Sequence, residues 1–180
     1  MTRNTLLLLP AALVCLAAAP APKAPVAKSP AARPAVTAAP FDAQNPQGLM
    51  EILGAAGAQA QTKAREEDSV FVAVTSTAAN FSMQFAGCTP QGRGCRAVLL
   101  DAALDRTSVT VAQVNAFNQT SVMCRLYQDR AGFNHVTYSS LLFRSDTRQD
   151  AAVHLQAWQG CLADARDFVK DPVAYLANAA

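Results

Sequence analysis

Apolar residues recur at helical spacing in two segments of the chain, one near residue 50 and one at the carboxyl end. In the first segment, Asn45 precedes Pro46, which suits a helix cap followed by the first helical residue, and Gly57 ends the apolar run. The second segment carries one apolar stripe with spacings of three and four residues. The stripe consists of Leu155, Trp158, Leu162, Ala165 and Val169. The pattern predicts a first helix from Asn45 and a long terminal helix that starts near Asp146 or Thr147.

Alternating and β-branched runs predict strands between these two helices. Residues 60–65 are a weak first strand, and the β-branched run at 70–75 is typical of a buried second strand. Residues 81–85 alternate between apolar and polar side chains, which indicates a half-buried third strand with one wet face. Residues 95–103 supply its partner across a loop rich in turn-forming residues.

A second helix and two more strands follow in the pattern. Thr107 or Ser108 suits the cap of this helix, whose apolar residues lie on or near one face. The next strand has three residues on one face, and residues 135–143 form the last strand. The three residues are Val122, Cys124 and Leu126.

The order of these elements predicts an α+β fold with the sequence α-β-β-β-β-α-β-β-α. Most consecutive strands are joined by short loops, so we expect them to pair in an antiparallel sheet. The helices then pack mainly on one face of the sheet.

The amino-terminal segment has the pattern of an export signal. Arg3 provides a positive start, residues 6–19 carry no charge, and small alanines stand at 17–19. We therefore expect a signal peptide at residues 1–21. An uncleaved anchor and a lipidated Cys15 are the alternatives.

Proline sets the next segment apart from the remainder of the chain. Six of the ten prolines lie between residues 20 and 40, where they favour an extended spacer. We expect a Pro/Ala-rich linker at residues 22–40 and a folded domain at 41–180. The protein should then be periplasmic or secreted, with no membrane span once the signal is removed.

The formal net charge of +2 hides an asymmetry along the chain. The first 40 residues hold four of the 15 basic residues and no acidic residue, which leaves 11 basic and 13 acidic residues beyond them. A nucleic-acid interface needs Lys and Arg clustered on a folded face, and the sequence shows no such cluster. We expect no nucleic-acid partner.

Removal of the signal leaves four cysteines, an even number in an exported chain. If residues 81, 83 and 85 face inward, strand parity places Cys88 and Cys95 together on the wet face of their hairpin. We expect a structural disulfide there. The rival hypothesis is a redox-active pair, although six intervening residues lack the tight spacing of a Cys-x-x-Cys motif. Cys124 and Cys161 form either a second bridge or two small buried apolar side chains.

Several motifs together resemble those of the YbjN family, described as bacterial sensory transduction regulators. The resemblance covers about residues 46–170. The matching segments are Leu53-Gly-Ala-Ala-Gly57, Phe81-x-Met-x-Phe85-x-x-Cys88 followed by Cys95, Asn115-Ala-Phe-Asn118, Arg125-Leu-Tyr127 with Asp129, and Trp158 ten residues before Phe168. The resemblance implies a fold similar to type III secretion chaperones, which often dimerise and bind partner chains. It implies no catalytic residue.

Three polar or aromatic side chains are expected to hold the fold together. Asn115 and Asn118 lie three residues apart on one helix face, where their amides can tie the helix to the sheet backbone. Trp158 belongs to the apolar stripe of the terminal helix and is expected to be a core anchor.

The sequence predicts no catalytic, cofactor or metal site. His135 and His154 lie on different elements without a second metal-type ligand nearby, so we interpret them as ordinary histidines. Nucleophile-elbow, phosphate-binding and dinucleotide-binding motifs are absent from the sequence.

These observations favour a non-enzymatic exported module that binds a protein or peptide partner at a sheet edge or groove, with a homodimer as one form. An envelope thiol-redox enzyme that uses Cys88 and Cys95 is the first alternative. A carrier of a small ligand or lipid is the second, and it requires a sizeable apolar pocket between Trp158 and the sheet.

Overall fold

The computed structural model describes residues 40–105 and 108–179. The predicted signal peptide and the predicted linker up to residue 39 lie outside the described residues. Within the described part the helices are α1 (Pro46–Ala55), α2 (Val111–Thr120), α3 (Arg148–Lys170) and α4 (Pro172–Asn178). The strands are β1 (Gln59–Arg65), β2 (Ser69–Thr75), β3 (Asn80–Ala86), β4 (Ala97–Ala103), β5 (Cys124–Gln128) and β6 (Asn134–Leu141).

The strands form one antiparallel sheet in the order β1-β2-β3-β4-β6-β5, and the helices pack against it. The α+β class predicted from the sequence is confirmed. The last two strands exchange places relative to the chain, because β4 pairs with β6 and leaves β5 at the edge. The sheet edges are therefore β1 and β5.

Two of the three predicted helix starts are confirmed. The Asn45 side chain accepts a hydrogen bond from the Gln47 backbone, and Thr147 forms a capping box with Asp150. The predicted start of α2 is wrong. Thr110 caps this helix: its hydroxyl oxygen accepts a hydrogen bond from the Gln113 amide, and its own backbone amide donates to the side-chain oxygen of Gln113.

The core lies on one face of the sheet. Inward-facing residues line up across the strands, as in the row formed by Val72, Met83 and Leu100. The helices cover this face with their apolar stripes, and the rings of Phe117 on α2 and Phe168 on α3 meet with centroids 5.0 Å apart. The other face of the sheet carries no helix among the described elements, and its side chains on β2, β3 and β4 are half-buried or exposed except for Ser69.

The sequence placed some strand ends wrongly. Val122 is 87% exposed, since β5 begins only at Cys124, where the backbone amide donates to the Ser121 hydroxyl. Phe143 is also exposed, because β6 ends at Leu141. The short helix α4 was not predicted. It begins with Pro172 after the Asp171 cap, which the sequence pattern could have indicated.

No helix among the described residues combines the length and the apolar character needed to cross a bilayer.

Candidate functional site

The two edges of the sheet differ in whether their backbone is already occupied. At the β5 edge, the Asn118 carboxamide accepts a hydrogen bond from the Leu126 amide at 2.8 Å and donates to the Leu126 carbonyl at 3.0 Å. These two bonds replace those that a further strand would make. Asn115 was expected to do the same, but its side chain is exposed on α2.

At the opposite edge, β1 pairs only with β2 among the described strands. All of its residues except Ala60 are exposed. The pairing with β2 is regular over residues 59–62, and it shifts between Thr62 and Ala64, which places a bulge at Lys63. An edge strand of this kind keeps alternate N–H and C=O groups free for another chain.

A groove of about 450 Å³ runs beside β1, and it is lined by this strand, by α1 and by Ala73 and Thr75 of β2. Its walls are mostly small or uncharged side chains. They include Gln47, Met50 and Gly54 on α1, and Gln59 and Gln61 on β1. Lys63 is the single charged residue among the described residues that line it. The groove is therefore a polar, nearly neutral channel with one positive charge.

The open face of the sheet carries a cluster of titratable residues near the β5 edge. The Asp101 carboxylate lies 2.9 Å from the Tyr127 hydroxyl and 2.9 Å from Nδ1 of His135. The rings of Tyr127 and His135 stack with their centroids 4.7 Å apart. Burial, together with the hydrogen bond and charge of Asp101, raises the pKa of Tyr127 to about 12.

Asp129 completes this cluster from the turn between β5 and β6. Its carboxylate lies 3.7 Å from Nε2 of His135 and accepts hydrogen bonds from the Phe133 and Ala131 amides. The Phe133 bond is the main cause of a lowered pKa of Asp129. The polar groups of the cluster pair with one another, and Tyr127 is held by its hydrogen bond to Asp101 and by stacking on His135.

The sequence pattern does not reveal this cluster, and the interpretation of His135 as an ordinary histidine misses its two carboxylate neighbours. Asp101 and His135 come from strands that pair only after β6 has inserted between β4 and β5. Strand parity alone places Asp101, Tyr127 and His135 on the same face of the sheet, but it does not place them next to each other.

The cysteines form two pairs, the expected one of Cys88 with Cys95 and a second one of Cys124 with Cys161, for which a bridge was one of two alternatives. The prediction that Cys88 and Cys95 lie on the wet face is wrong, since Cys88 is 9% exposed and Cys95 is fully buried. Gly87 has φ of +65° directly after β3, which breaks the two-residue alternation on which that prediction depended. Burial of both sulfur-bearing residues favours a structural bridge, because thiol exchange requires access to a sulfur atom.

The second cysteine pair joins the edge strand β5 to the long helix α3, with α-carbons 5.4 Å apart. Together the pairs indicate a protein that folds in an oxidising compartment.

Trp158 and His154 both lie on the sheet side of α3. Trp158 is 1% exposed and contacts the Phe81 ring at a centroid distance of 5.4 Å. Nδ1 of His154 lies 2.7 Å from the Tyr138 hydroxyl, so this histidine ties α3 to β6. Burial raises the pKa of Tyr138.

Within the described ranges, no group of three or more His, Cys, Asp or Glu side chains is placed to hold a metal ion. No family model, curated protein or solved structure matches this chain.

Proposed function

We propose that this protein is an exported, non-enzymatic module that binds an extended segment of a partner protein as an additional strand beside β1. The observation that carries the proposal is the difference between the two sheet edges. Asn118 occupies the backbone of β5, whereas β1 is exposed beside a groove. Addition of a strand to an open edge is a common mode of peptide recognition, in which main-chain hydrogen bonds supply much of the affinity.

The length of the regular pairing limits what β1 can bind. Residues 59–62 precede the bulge and span about 14 Å at 3.4 Å per residue. A bound segment therefore pairs with β1 over a short stretch. The bulge and Lys63 oppose longer pairing, which also protects the edge from uncontrolled sheet growth.

The lining of the groove indicates the chemistry of the bound segment. Side chains of Gln59 and Gln61 offer amide donors and acceptors, and Lys63 offers the one positive charge. A neutral polar segment with a single acidic residue opposite Lys63 complements these groups. A strongly basic segment does not.

The resemblance to the YbjN family supports a role with a protein partner, since the secretion-chaperone-like fold that it implies often binds other chains. A regulatory or chaperone-like role in the periplasm or outside the cell agrees with the predicted signal peptide and with the two cysteine pairs. The polar groups of the cluster at Asp101 pair with one another, and so the cluster adds no argument for an enzyme.

The experiment is a selection of short random peptides on the oxidised full chain, followed by amide hydrogen exchange with each selected peptide. We expect bound peptides to protect alternate amides of residues 59–62 and to leave the already occupied Leu126 amide unchanged. Peptides that protect only β5 or the open face, or a selection that enriches nothing over an unrelated bait, would contradict the proposal.

Two adjacent proline substitutions sharpen this test. Successive residues of a strand direct their N–H groups to opposite sides, so either Gln61→Pro or Thr62→Pro removes an outward donor, while the other removes a bond to β2. We expect one variant to keep the melting temperature and lose peptide binding. If the variant that keeps its stability also keeps its peptide affinity, β1 is not the binding edge.

Charge reversal tests the chemistry of the segment. Lys63→Glu should weaken the binding of acidic peptides more than the binding of neutral ones. Lys170→Glu at the end of α3 should leave the affinity for both kinds of peptide unchanged. Light scattering over a range of concentrations addresses self-association. Dimerisation that the stable proline variant abolishes would identify a second copy as the occupant of β1 and would overturn the proposal of a separate partner.

A further inference from the structure

A second cavity lies on the helix-covered side of the sheet, away from the open face. It has a volume of about 130 Å³ and sits between the end of α1, the turn from β2 to β3, and α3. The rings of Phe81 and Trp158 stand at this cavity with their centroids 5.4 Å apart. Leu53 and Leu162 line it as well. Its lining is mostly apolar and contains no titratable residue among those described.

One residue that lines this apolar cavity carries an unpaired hydrogen-bond donor. The indole Nε1 of Trp158 is buried and has no hydrogen-bond partner among the described residues. Buried side-chain donors are nearly always paired, since an unpaired one costs free energy comparable to a lost hydrogen bond. The same residue thus lines a cavity and carries an unused donor.

We propose that this cavity binds a small neutral molecule that is mostly apolar and carries one hydrogen-bond acceptor for Nε1 of Trp158. A ketone or aldehyde on a compact ring or short branched chain has this chemistry. The size agrees, because an apolar cavity of about 150 Å³ holds benzene. The cavity is a different site from the β1 groove, although Ala58 lines both, and the proposal goes beyond the function proposed above.

The volume and the lining of the cavity disfavour two other kinds of ligand. Pockets for drug-sized ligands have volumes of about 300 to 1,000 Å³. A lipid acyl chain therefore does not fit into 130 Å³. A charged molecule is disfavoured too, because no described lining residue offers a counter-charge.

The chain contains a single tryptophan, so its one indole N–H resonance reports directly on the cavity. The probes are cyclohexanone and methylenecyclohexane, which have nearly the same shape and differ in the acceptor oxygen. We expect cyclohexanone to shift the indole resonance of the full chain downfield in a saturable manner, as a new hydrogen bond does. An indole resonance that stays in place up to the solubility limit of cyclohexanone would overturn the proposal.

Two variants locate the site. Ala79→Leu fills the cavity from the turn between β2 and β3, and it should abolish the shift. Ala163→Leu adds the same volume at an exposed position of α3 outside the cavity, and it should bind cyclohexanone like the wild type. If Ala79→Leu retains the shift, the cavity is not the binding site.

A third variant tests the hydrogen bond itself. Trp158→Phe keeps an aromatic ring but removes the donor. The Kd of cyclohexanone relative to that of methylenecyclohexane should therefore rise by about tenfold. Calorimetry measures both constants. An unchanged ratio would show that Nε1 does not bind the oxygen. If this variant does not fold, the indole resonance and the Ala79→Leu variant still decide the question.

Discussion

Asn118 on α2 holds both backbone polar groups of Leu126 on β5, at 2.8 Å to the amide nitrogen and 3.0 Å to the carbonyl oxygen. One side chain thus makes the two backbone hydrogen bonds that a neighbouring strand would otherwise make with Leu126. The contact also fixes α2 against the sheet, since it joins residues that are eight positions apart in the chain.

We predict that Asn118→Ala lowers the free energy of unfolding by about 2 kcal/mol. Two partly buried hydrogen bonds are lost, each worth about 1 kcal/mol, and the backbone groups of Leu126 lose their protein partner. Urea denaturation measures the change. Faster amide exchange at Leu126 should accompany it.

Asn115→Ala is the matched control for this prediction. The residue is the same type on the same helix, but its side chain is exposed, so the change should lie within about 0.5 kcal/mol. Equal losses in the two variants would mean that the bonds to Leu126 contribute nothing specific.

Gly87 determines where the first cysteine pair lies, and we predict that Gly87→Ala is destabilising. Its φ of +65° is in the left-handed region, where a side chain costs about 1 to 2 kcal/mol. An added β-carbon would also lie 2.9 Å from Nε of Arg96. Thermal and urea unfolding should both show the loss.

Gly160→Ala provides the opposite expectation in the same protein. Gly160 is exposed within α3, and a β-carbon there meets no atom within 4 Å. Alanine should stabilise the helix by up to about 1 kcal/mol. A loss of stability at Gly160 as large as that at Gly87 would contradict the assignment of the cost to the Gly87 backbone.

The local signals in the sequence were sufficient for most of the fold. The sequence predicts the Asn45 cap because Pro46 follows it, and it predicts the start of α3 near Asp146 or Thr147 because the apolar stripe begins soon afterwards. The alternation at residues 81–85 gave β3, since period-two burial depends only on neighbours along the strand. Caps and strand alternation depend on residues that are close together in the chain, so they can be predicted from the sequence.

The errors occur where short-range patterns are interrupted. Strand parity failed at Cys88 because the left-handed Gly87 precedes it. Val122 matched a strand pattern, but the turn that follows α2 takes it out of the strand. The periodicity of apolar residues does not indicate where such interruptions occur.

The candidate site was less accessible to sequence reasoning than the fold. Its main feature is that one sheet edge is occupied and the other is open, which depends on the strand order and on the position of α2. The cluster of Asp101, His135 and Tyr127 depends on β6 lying between β4 and β5. Both are long-range properties, and a single sequence does not specify them.

The two cysteine pairs should contribute unequally to stability. Their partners are separated by 37 residues for Cys124 and Cys161, and by 7 residues for Cys88 and Cys95. In the chain-entropy model, loops of these sizes correspond to about 3.9 and about 2.5 kcal/mol. We predict that replacing Cys124 and Cys161 together by alanine is the more damaging change in urea denaturation.

Replacement of Cys88 and Cys95 by alanine is the comparison, since these residues are buried as well. Treatment of the wild type with a reductant should lower stability by about the combined amount. An equal or larger loss for the Cys88 and Cys95 pair would show that loop entropy does not dominate.

The last prediction concerns the pH dependence that Tyr127 introduces. Its pKa is raised from 10.0 to about 12 in the folded protein, first by burial and then by Asp101. Between these two values the unfolded chain releases the phenol proton while the folded chain retains it. The contribution of Tyr127 to stability is therefore complete below pH 10 and is lost as the pH rises towards 12.

Phenolate absorbance during an alkaline titration measures this pKa, with Tyr127→Phe subtracted to isolate the residue from Tyr138 and Tyr175. Asp101→Asn should lower the pKa of Tyr127, because it removes the negative charge that opposes ionisation and leaves the burial in place. Asp164→Asn should instead act on Tyr175, whose pKa is raised by burial and then by Asp164. If Asp101→Asn leaves the Tyr127 titration unchanged, the carboxylate does not govern this phenol, and burial of the ring accounts for its raised pKa.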